Sequence, residues 1–584
     1  MSGATGQAQA LYEELLRQEP EHPEALHLLG VVALQAGDAQ RAHDLISRSL
    51  SLQDRNAQAH ANLASALVIL KRPQVALEHY DRALALDPHF AGVHHNRGNV
   101  LQMLGRHMEA TRCFEQLLTA TPEADFALGN LLHSRAQACD WSDFEGTRQK
   151  LLQGVRAGRR SARPFAFLAV SARAEEQLAC ARTYAAYAAA TVATPLWDGT
   201  RYQHDRIRVA YVSADFRQHI VAHLMAPIYE RHDAKSFQTV GVALNSAPED
   251  SAVVTRIKGA LEQLIDVSAM SSGEAARVLR EMEIDIAVDL TGYTQGGRPA
   301  IFAHRPAPVQ VSYLGFPGTM GVPCIDYLLA DEFVVPPESR RFYTEQIVYL
   351  LDTFQAGDER ASSTGSAPRP TRASQGLPEQ ALVYCCFNSG FKLTPAVFSV
   401  WTRLLTASPG AVLWLLGEDS GFKARLRTEA ARRGIEPQRL VFAPRVSYPE
   451  HLARLPLADL FLDTLPYNAG VSATDALWSG VPVLTCAGEA LASRMAGGLL
   501  KAAGLPELIT ASLEDYESQA LALAAEPQRL ETYKTRLLAS RATSPLFDGA
   551  RTCRHLEAAY RGMYERSQRG LPPAAFAVGA AQPD

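Results

Sequence analysis

Small residues that return every 34 positions constrain this chain more than any other feature. Gly30, Ala64 and Gly98 are each 34 apart, and so are Ala42, Ala76 and Ala110. A third register holds Pro20, Pro88 and Pro122, with Asp54 where one proline is missing. Two antiparallel helices approach closely only where neither carries a bulky side chain, and a proline ends one repeat before the next begins. The unit is seen whole in AHANLASALVILKRPQVALEHYDRALALDPH, and three complete repeats follow a half repeat, AQALYEELLRQEP. About three such units are the minimum that buries a continuous core by stacking.

This is similar to the tetratricopeptide pattern. It predicts an α-solenoid over residues 1–135, with a groove that holds protein rather than a bare spacer. Asn62 and Asn96 are also 34 apart and so project from the same face of successive repeats. Paired amides there are placed to bind the backbone of an extended acceptor; the competing reading has them satisfying neighbours at the helix surface.

At 584 residues the chain is too long for one core. A net charge of −5 gives no sign of a nucleic-acid surface. The eight cysteines are scattered without C-x-x-C or ligand-like spacing, which reads as buried thiols in a reducing compartment. No basic start with an apolar core stands at the N-terminus, and no apolar run approaches the ~18 residues that span a bilayer. The expectation is a cytoplasmic protein with no membrane partner.

Residues 136–204 read as further helices joining the solenoid to an α/β body. From Arg206 buried strands alternate with helices: IRVAYVSADF, TVGVALN, IDIAVDLTGY and PVQVSYLG. After the break GDERASSTGSAPRPTRASQG comes a second set, ALVYCCF, AVLWLLG, LVFAPR, LADLFLDT and VPVLTC. The fold class is therefore an α-solenoid followed by two doubly wound α/β domains, at 205–375 and 376–545, with ligand at the shared cleft. A helix at 546–569 is expected to cross back onto the first of them, and the Ala/Gly/Pro-rich tail, 570–584, to be disordered.

Neither G-x-G-x-x-G nor G-x-x-x-x-G-K-[ST] occurs, which removes the main support for redox and P-loop chemistry. Twin α/β domains without those loops point to a sugar-nucleotide transferase of the two-domain B type. A strand ending at Asp463-Thr464 runs through a small-residue loop into a helix starting near Ser472, whose N–H groups and dipole suit a diphosphate. Asp475, one turn in, is placed to accept from ribose hydroxyls. Together with DFRQHIVAHL, RPAPVQVSYLGFPGT, CCFNSGFKLTP and SPLF, this stretch closely resembles the O-GlcNAc transferase family over nearly the whole chain.

The resemblance implies an enzyme that moves N-acetylglucosamine from UDP-GlcNAc to Ser or Thr hydroxyls of proteins in one inverting displacement, with no cofactor beyond the donor. It places Lys392 on the diphosphate, where a fixed ammonium stabilises the charge that grows on departing UDP. It puts His219 in the active site, as general base or as a positioning group. Asn388, Ser389, His451 and Val471 join Ser472 and Asp475 around the nucleotide, and Leu314, Gly315 and Pro317 line the sugar pocket. Tyr448, Ser389 and the Gly470-Val471 pair depart from residues expected in the better-known animal members. No two aspartates stand two apart, and Glu281, Glu283 and Asp285 read as a solvated face, so the expected mechanism needs no metal. The alternatives are a binding scaffold whose transferase body has lost activity, or a related transferase with another sugar or acceptor.

Overall fold

The computed structural model describes residues 3–188, 195–245, 251–355, 369–417 and 419–579. It divides into two units, Met1–Ala138 and Cys139–Asp584. No helix among the described residues is long and apolar enough to cross a membrane.

The first unit is the expected solenoid. Helix Gly3–Gln18 precedes the pairs Pro23–Gln35 with Ala39–Leu52, Ala57–Ile69 with Pro73–Leu86, and Ala91–Met103 with His107–Ala120, and Ala127–Gln137 follows. The small residues sit where the helices touch: Ala42, Ala64, Ala76 and Ala110 are fully buried. A Cβ on Gly98 would stand 2.7 Å from the Phe114 ring. Helices end two residues before Pro20, Asp54, Pro88 and Pro122, where the chain must turn. The amides of Asn62 and Asn96 have partners inside the solenoid. Asn62 Nδ2 lies 2.9 Å from His27 Nε2, and its Oδ1 accepts from Gln58 at 3.4 Å. Asn96 bonds the hydroxyl of Tyr80.

The second unit opens with the helical connector, Phe144–Arg156, Pro164–Phe167 and Ala174–Ala188. One sheet then takes β1 (Ile207–Ser213), β2 (Phe237–Ala243), β3 (Gln263–Asp266), β4 (Ile286–Asp289), β5 (Val309–Ser312), β6 (Tyr327–Ala330) and β7 (Gln346–Tyr349). Another takes β8 (Val383–Cys386), β9 (Val412–Leu416), β10 (Leu440–Ala443), β11 (Leu460–Leu462), β12 (Val483–Cys486) and β13 (Ile509–Thr510). A last strand, β14 (Phe576–Ala577), returns to the first sheet. The spatial orders are β14-β7-β6-β5-β4-β1-β2-β3 and β10-β9-β8-β11-β12-β13. Pairing is parallel throughout, as in Ile207↔Phe237 to Ser213↔Ala243. Both sheets reverse winding direction once, between β1 and β4 and between β8 and β11, and a crevice opens at the strand C-termini there.

Three expectations change. The chain beyond Gly570 is ordered through Gly579 among the described residues: β14 pairs with β7 at Phe576↔Val348 and Ala577↔Tyr349, because the edge of β7 offers unsatisfied backbone groups. Asp285 is not solvated; it is 1 % exposed and accepts from the Arg208 N–H at 2.9 Å, with His204 Nδ1 at 3.1 Å. Strands β3, β6, β7 and β13 lie outside the nine apolar runs singled out in the sequence. Most of the Ser/Arg-rich break, 356–368, lies outside the described residues, as do 580–584 of the tail.

The final helix, Gly549–Gln568, does cross back. Its Cys553, Leu556, Ala559, Tyr560 and Met563 are buried in one cluster with Leu224, Met225 and Ile228 of helix Ile220–Tyr229.

Candidate active site

Lys392 stands at the winding reversal of the second sheet. The chain leaves β8, turns through Gly390–Lys392, and Thr394 caps the helix Pro395–Ala407 by accepting from Val397 N–H. The ammonium donates to the Asn468 carbonyl at 2.8 Å and lies 3.6 Å over the centre of the Tyr467 ring. Asn468 and Tyr467 belong to the loop that follows β11, so the two strands flanking the crevice hold the cation between them. Burial pulls the Lys392 pKa down to about 8, against the upward pull of Asp463 and Cys386.

Asp463 is the counterpart. Its carboxylate accepts from Thr485 Oγ1 at 2.6 Å and from the N–H groups of Thr464 and Ala469 at 2.7 Å each. Burial pushes its pKa up to about 6 despite those bonds and Lys392. Between roughly pH 6 and 8 the carboxylate is therefore ionised while the lysine is charged. Asn388 braces the same corner, donating to Thr464 Oγ1 at 2.8 Å and to Asp463 at 3.3 Å, while its Oδ1 is buried with no partner. Ser389, half-buried, opens the turn carrying Lys392 without a side-chain capping bond.

The loop after β11 feeds helix Val471–Trp478, whose N-terminus at Gly470 takes no side-chain cap. Its first turn therefore has donor capacity for an anion. Val471 and Ser472 are half-buried there, and Asp475 is 5 % exposed one turn in. The Tyr448 hydroxyl donates to Asp475 Oδ1 at 2.9 Å, and His451 Nε2 lies 3.9 Å from Oδ2. The His451 ring stands edge-on to Phe387, 5.2 Å between centroids, and its Nδ1 lies 3.1 Å from Arg454 Nη2. His451 and Asp475 thus lie near one another.

Across the cleft, His219 caps the helix Ile220–Tyr229 that follows β1. Its Nδ1 lies 3.3 Å from Val221 N and 3.4 Å from Asp215 Oδ1. Burial lowers its pKa, opposed by Asp215 and assisted by Arg217. The nearby helix N-terminus disfavours an imidazolium in the same sense. A neutral imidazole accepts a proton only on its hydrogen-free nitrogen, which is Nδ1 while Nδ1 caps the helix. Leu314 has φ 66°, a left-handed conformation costing ~1–3 kcal/mol for a side chain of this kind. That turn presses the Gly315 backbone onto the end of β4, where a Cβ would stand 2.0 Å from the Leu290 carbonyl. Pro317 is buried behind it.

The two halves meet at these residues. Val471 packs against the core of the first sheet, as Leu314 and Ile220 also do, and the Tyr448 ring lies 5.4 Å from that of His223. The arrangement combines a half-buried cation, an uncapped helix start, a buried carboxylate and an imidazole around one cleft. Asp463, Tyr467, Asn468 and Asp215 were not singled out by sequence reasoning. Tyr467 and Asn468 look like ordinary loop residues in LPYNAG, and their role appears only when β8 and β11 become neighbours.

Comparisons with known proteins bear on this geometry. The model of glycosyl transferase family 41 matches residues 138–364 and 365–556. In the solenoid, the model of anaphase-promoting complex, cyclosome, subunit 3 matches 1–83 and a tetratricopeptide repeat model matches 79–112. A relative from Arabidopsis thaliana named "Probable UDP-N-acetylglucosamine–peptide N-acetylglucosaminyltransferase SEC" is 39% identical over 377 residues, 64% of this chain and 38% of the relative. The UDP-N-acetylglucosamine–peptide N-acetylglucosaminyltransferase of Caenorhabditis elegans is 26% identical over 558 residues, 74% of this chain and 48% of that one. This chain therefore spans less than half the length of either relative. The solved structure of a mutant O-GlcNAc transferase from Thermobaculum terrenum superposes with a TM-score of 0.66 at 28% identity, covering 94% of this chain and 98% of that one.

Proposed function

The chain belongs to glycosyl transferase family 41, and from that premise we propose that it transfers N-acetylglucosamine from UDP-GlcNAc to Ser or Thr hydroxyls of proteins in one inverting displacement. The observation that carries the reading is Lys392, half-buried and tied to the Asn468 carbonyl at 2.8 Å beside the uncapped start of helix Val471–Trp478. Breaking the glycosidic bond leaves charge on the UDP oxygens. A prepositioned ammonium and backbone N–H groups bind that charge more strongly than they bind the donor, which lowers the barrier. Asp475, with Tyr448 and His451 beside it, holds the nucleotide by its ribose hydroxyls. The turn Leu314–Pro317 lies against the sugar. His219 faces the acceptor, either taking the hydroxyl proton on its imidazole or positioning the attacking oxygen. The ammonium and helix start carry the diphosphate without a divalent ion, and no cofactor enters beyond the donor.

Acceptor proteins bind along the solenoid groove of the first unit, and the activity belongs to the cytoplasm. The test is UDP binding by calorimetry, followed by UDP release from UDP-GlcNAc with a protein acceptor, with and without EDTA. Binding with turnover that survives the chelator supports the reading. Binding without turnover supports a scaffold, and turnover lost to EDTA and restored by one divalent ion overturns the metal-free mechanism.

A further inference from the structure

Helix Pro164–Phe167 belongs to neither sheet, yet its Phe165 lies against the support on which Lys392 rests. The Phe165 ring centroid is 5.7 Å from that of Phe391 and 6.4 Å from that of Tyr467, nearly perpendicular to the latter at 82°. Phe391 and Tyr467 are 5.9 Å apart at 66°, so the three rings close a triangle. Edge-to-face pairs at these separations are favourable contacts that fix ring orientation. Tyr467 is the ring whose face holds the Lys392 ammonium at 3.6 Å, and Phe391 is the residue before that lysine.

The connector is anchored so that Phe165 stays there. Phe167 and Leu168 are 0% and 1% exposed. Farther along, the Ala172 carbonyl accepts from the N–H groups of Glu489 at 3.1 Å and Ala490 at 2.9 Å. On its other side the Trp141 ring packs 5.1 Å from Phe398, on the helix that follows Lys392. The connector thus contacts the nucleotide-side lobe at several places, and Phe165 is the residue of it that packs on the rings around the cation.

A lysine side chain is a point charge on a flexible four-carbon stem, and its hold on a phosphate depends on how its surroundings restrict it. Phe165 restricts it at one remove. We infer that Phe165 is a positioning residue for the transfer reaction: by closing the aromatic triangle it fixes Tyr467, holds Lys392 on the Asn468 carbonyl and keeps water from the ammonium. The groups that set the charge of Lys392 are Asp463 after β11 and Cys386 on β8, with the Tyr467 ring beneath it. Phe165 adds no charge and acts by excluding solvent. The inference rests on the proposed role of Lys392 at the diphosphate.

The experiment compares the full chain with Phe165→Ala, Phe165→Leu and Phe165→Tyr, using two readouts. UDP is titrated calorimetrically from about pH 7 to 9.5, across the range in which a desolvated lysine loses its charge. In the ligand-free protein, titration of Lys392 is followed by NMR of 13C-labelled lysine side chains, assigned by the signal lost in Lys392→Met. Phe165→Ala is expected to weaken UDP about tenfold at neutral pH, the scale of a small misplacement at a site. Its Lys392 titration should move upward, toward that of an ordinary lysine, as water reaches the ammonium. Phe165→Tyr, which keeps the ring, should restore both. If Phe165→Ala melts early, Phe165→Leu takes its place, keeping apolar bulk without the ring. An unmoved Lys392 titration in the ring-less variants overturns the inference, whether or not UDP affinity falls. Failure of the unmodified chain to bind UDP would instead sink the reading of the site, and the NMR titration would still decide the role of Phe165.

Discussion

If the chain carries out the proposed transfer, raising the pH should switch that activity off while making the nucleotide-side lobe more stable. Lys392 titrates at about 8 in the folded chain because burial disfavours its charge. By simple titration roughly nine in ten molecules carry the ammonium at pH 7 and roughly one in eleven at pH 9, so kcat/KM, which reports the free enzyme, should fall about tenfold between them. An ordinary lysine would give a fall of only a few per cent. The unfolded lysine keeps its proton to about 10.4, so between pH 8 and 10.4 the unfolded chain binds more protons, and stability rises with pH in that window. The gain is bounded by about 3 kcal/mol for a shift of this size. Lys392→Met keeps most of the volume and removes the charge. It should cost about 2–4 kcal/mol of transition-state stabilisation, a loss of roughly thirty- to a thousandfold in turnover, while raising the melting temperature at pH 7. The assays are UDP release across the pH range and thermal melts of both proteins. A flat activity profile to pH 10, an alkaline limb that survives in Lys392→Met, or a variant that melts early would refute the reasoning.

Replacing His219 by Ala should lower turnover by about a hundredfold or more and leave UDP affinity unchanged, measured by UDP release and by calorimetry on one sample. Because burial lowers its pKa, the acid limb of kcat/KM in the unmodified enzyme should lie below pH 6.5, and a limb above that value would count against the assignment. Changing Asn62 and Asn96 together to Ala should weaken modification of long protein acceptors more than UDP binding; unchanged modification would leave their internal hydrogen bonds as their whole role. Gly98→Ala drives a methyl into the Phe114 ring and should destabilise the solenoid by about 1–3 kcal/mol, read as an earlier thermal transition, whereas an unchanged melt would mean the ring simply moves aside.

Much of this architecture is legible in the sequence because strong periodicities leave traces. The 34-residue register names the buried alanines and glycines directly, and the five strands ALVYCCF to VPVLTC are apolar runs bounded by turn residues. The strand order is not written there, since a parallel ladder is set by which crossover helix packs where. For that reason Asp463 and Asn468 could not be joined to Lys392 from spacing alone; 71 and 76 positions separate them in the chain. His219 and Lys392 were found through motif likeness, and their surroundings were not. The burial that lowers one and the other depends on side chains contributed by several distant segments. The tail was misread because Ala, Gly and Pro signal disorder only when no sheet edge waits for them, and β7 supplies one.

The threading of the first sheet has a consequence for how the chain comes into being. Seven of its strands are complete by Tyr349, but the helix that covers Leu224, Met225 and Ile228 begins only at Gly549, and β14 only at Phe576. A polypeptide leaving the ribosome N-terminus first makes the whole second sheet before it can seal the first. For some two hundred residues of synthesis the apolar flank of helix Ile220–Tyr229 has no cover, a window in which a holdase finds its target. Nascent chains arrested near Ser544 should therefore show a protease-sensitive first sheet beside a resistant second one; equal resistance would mean that the first sheet seals itself without its last helix.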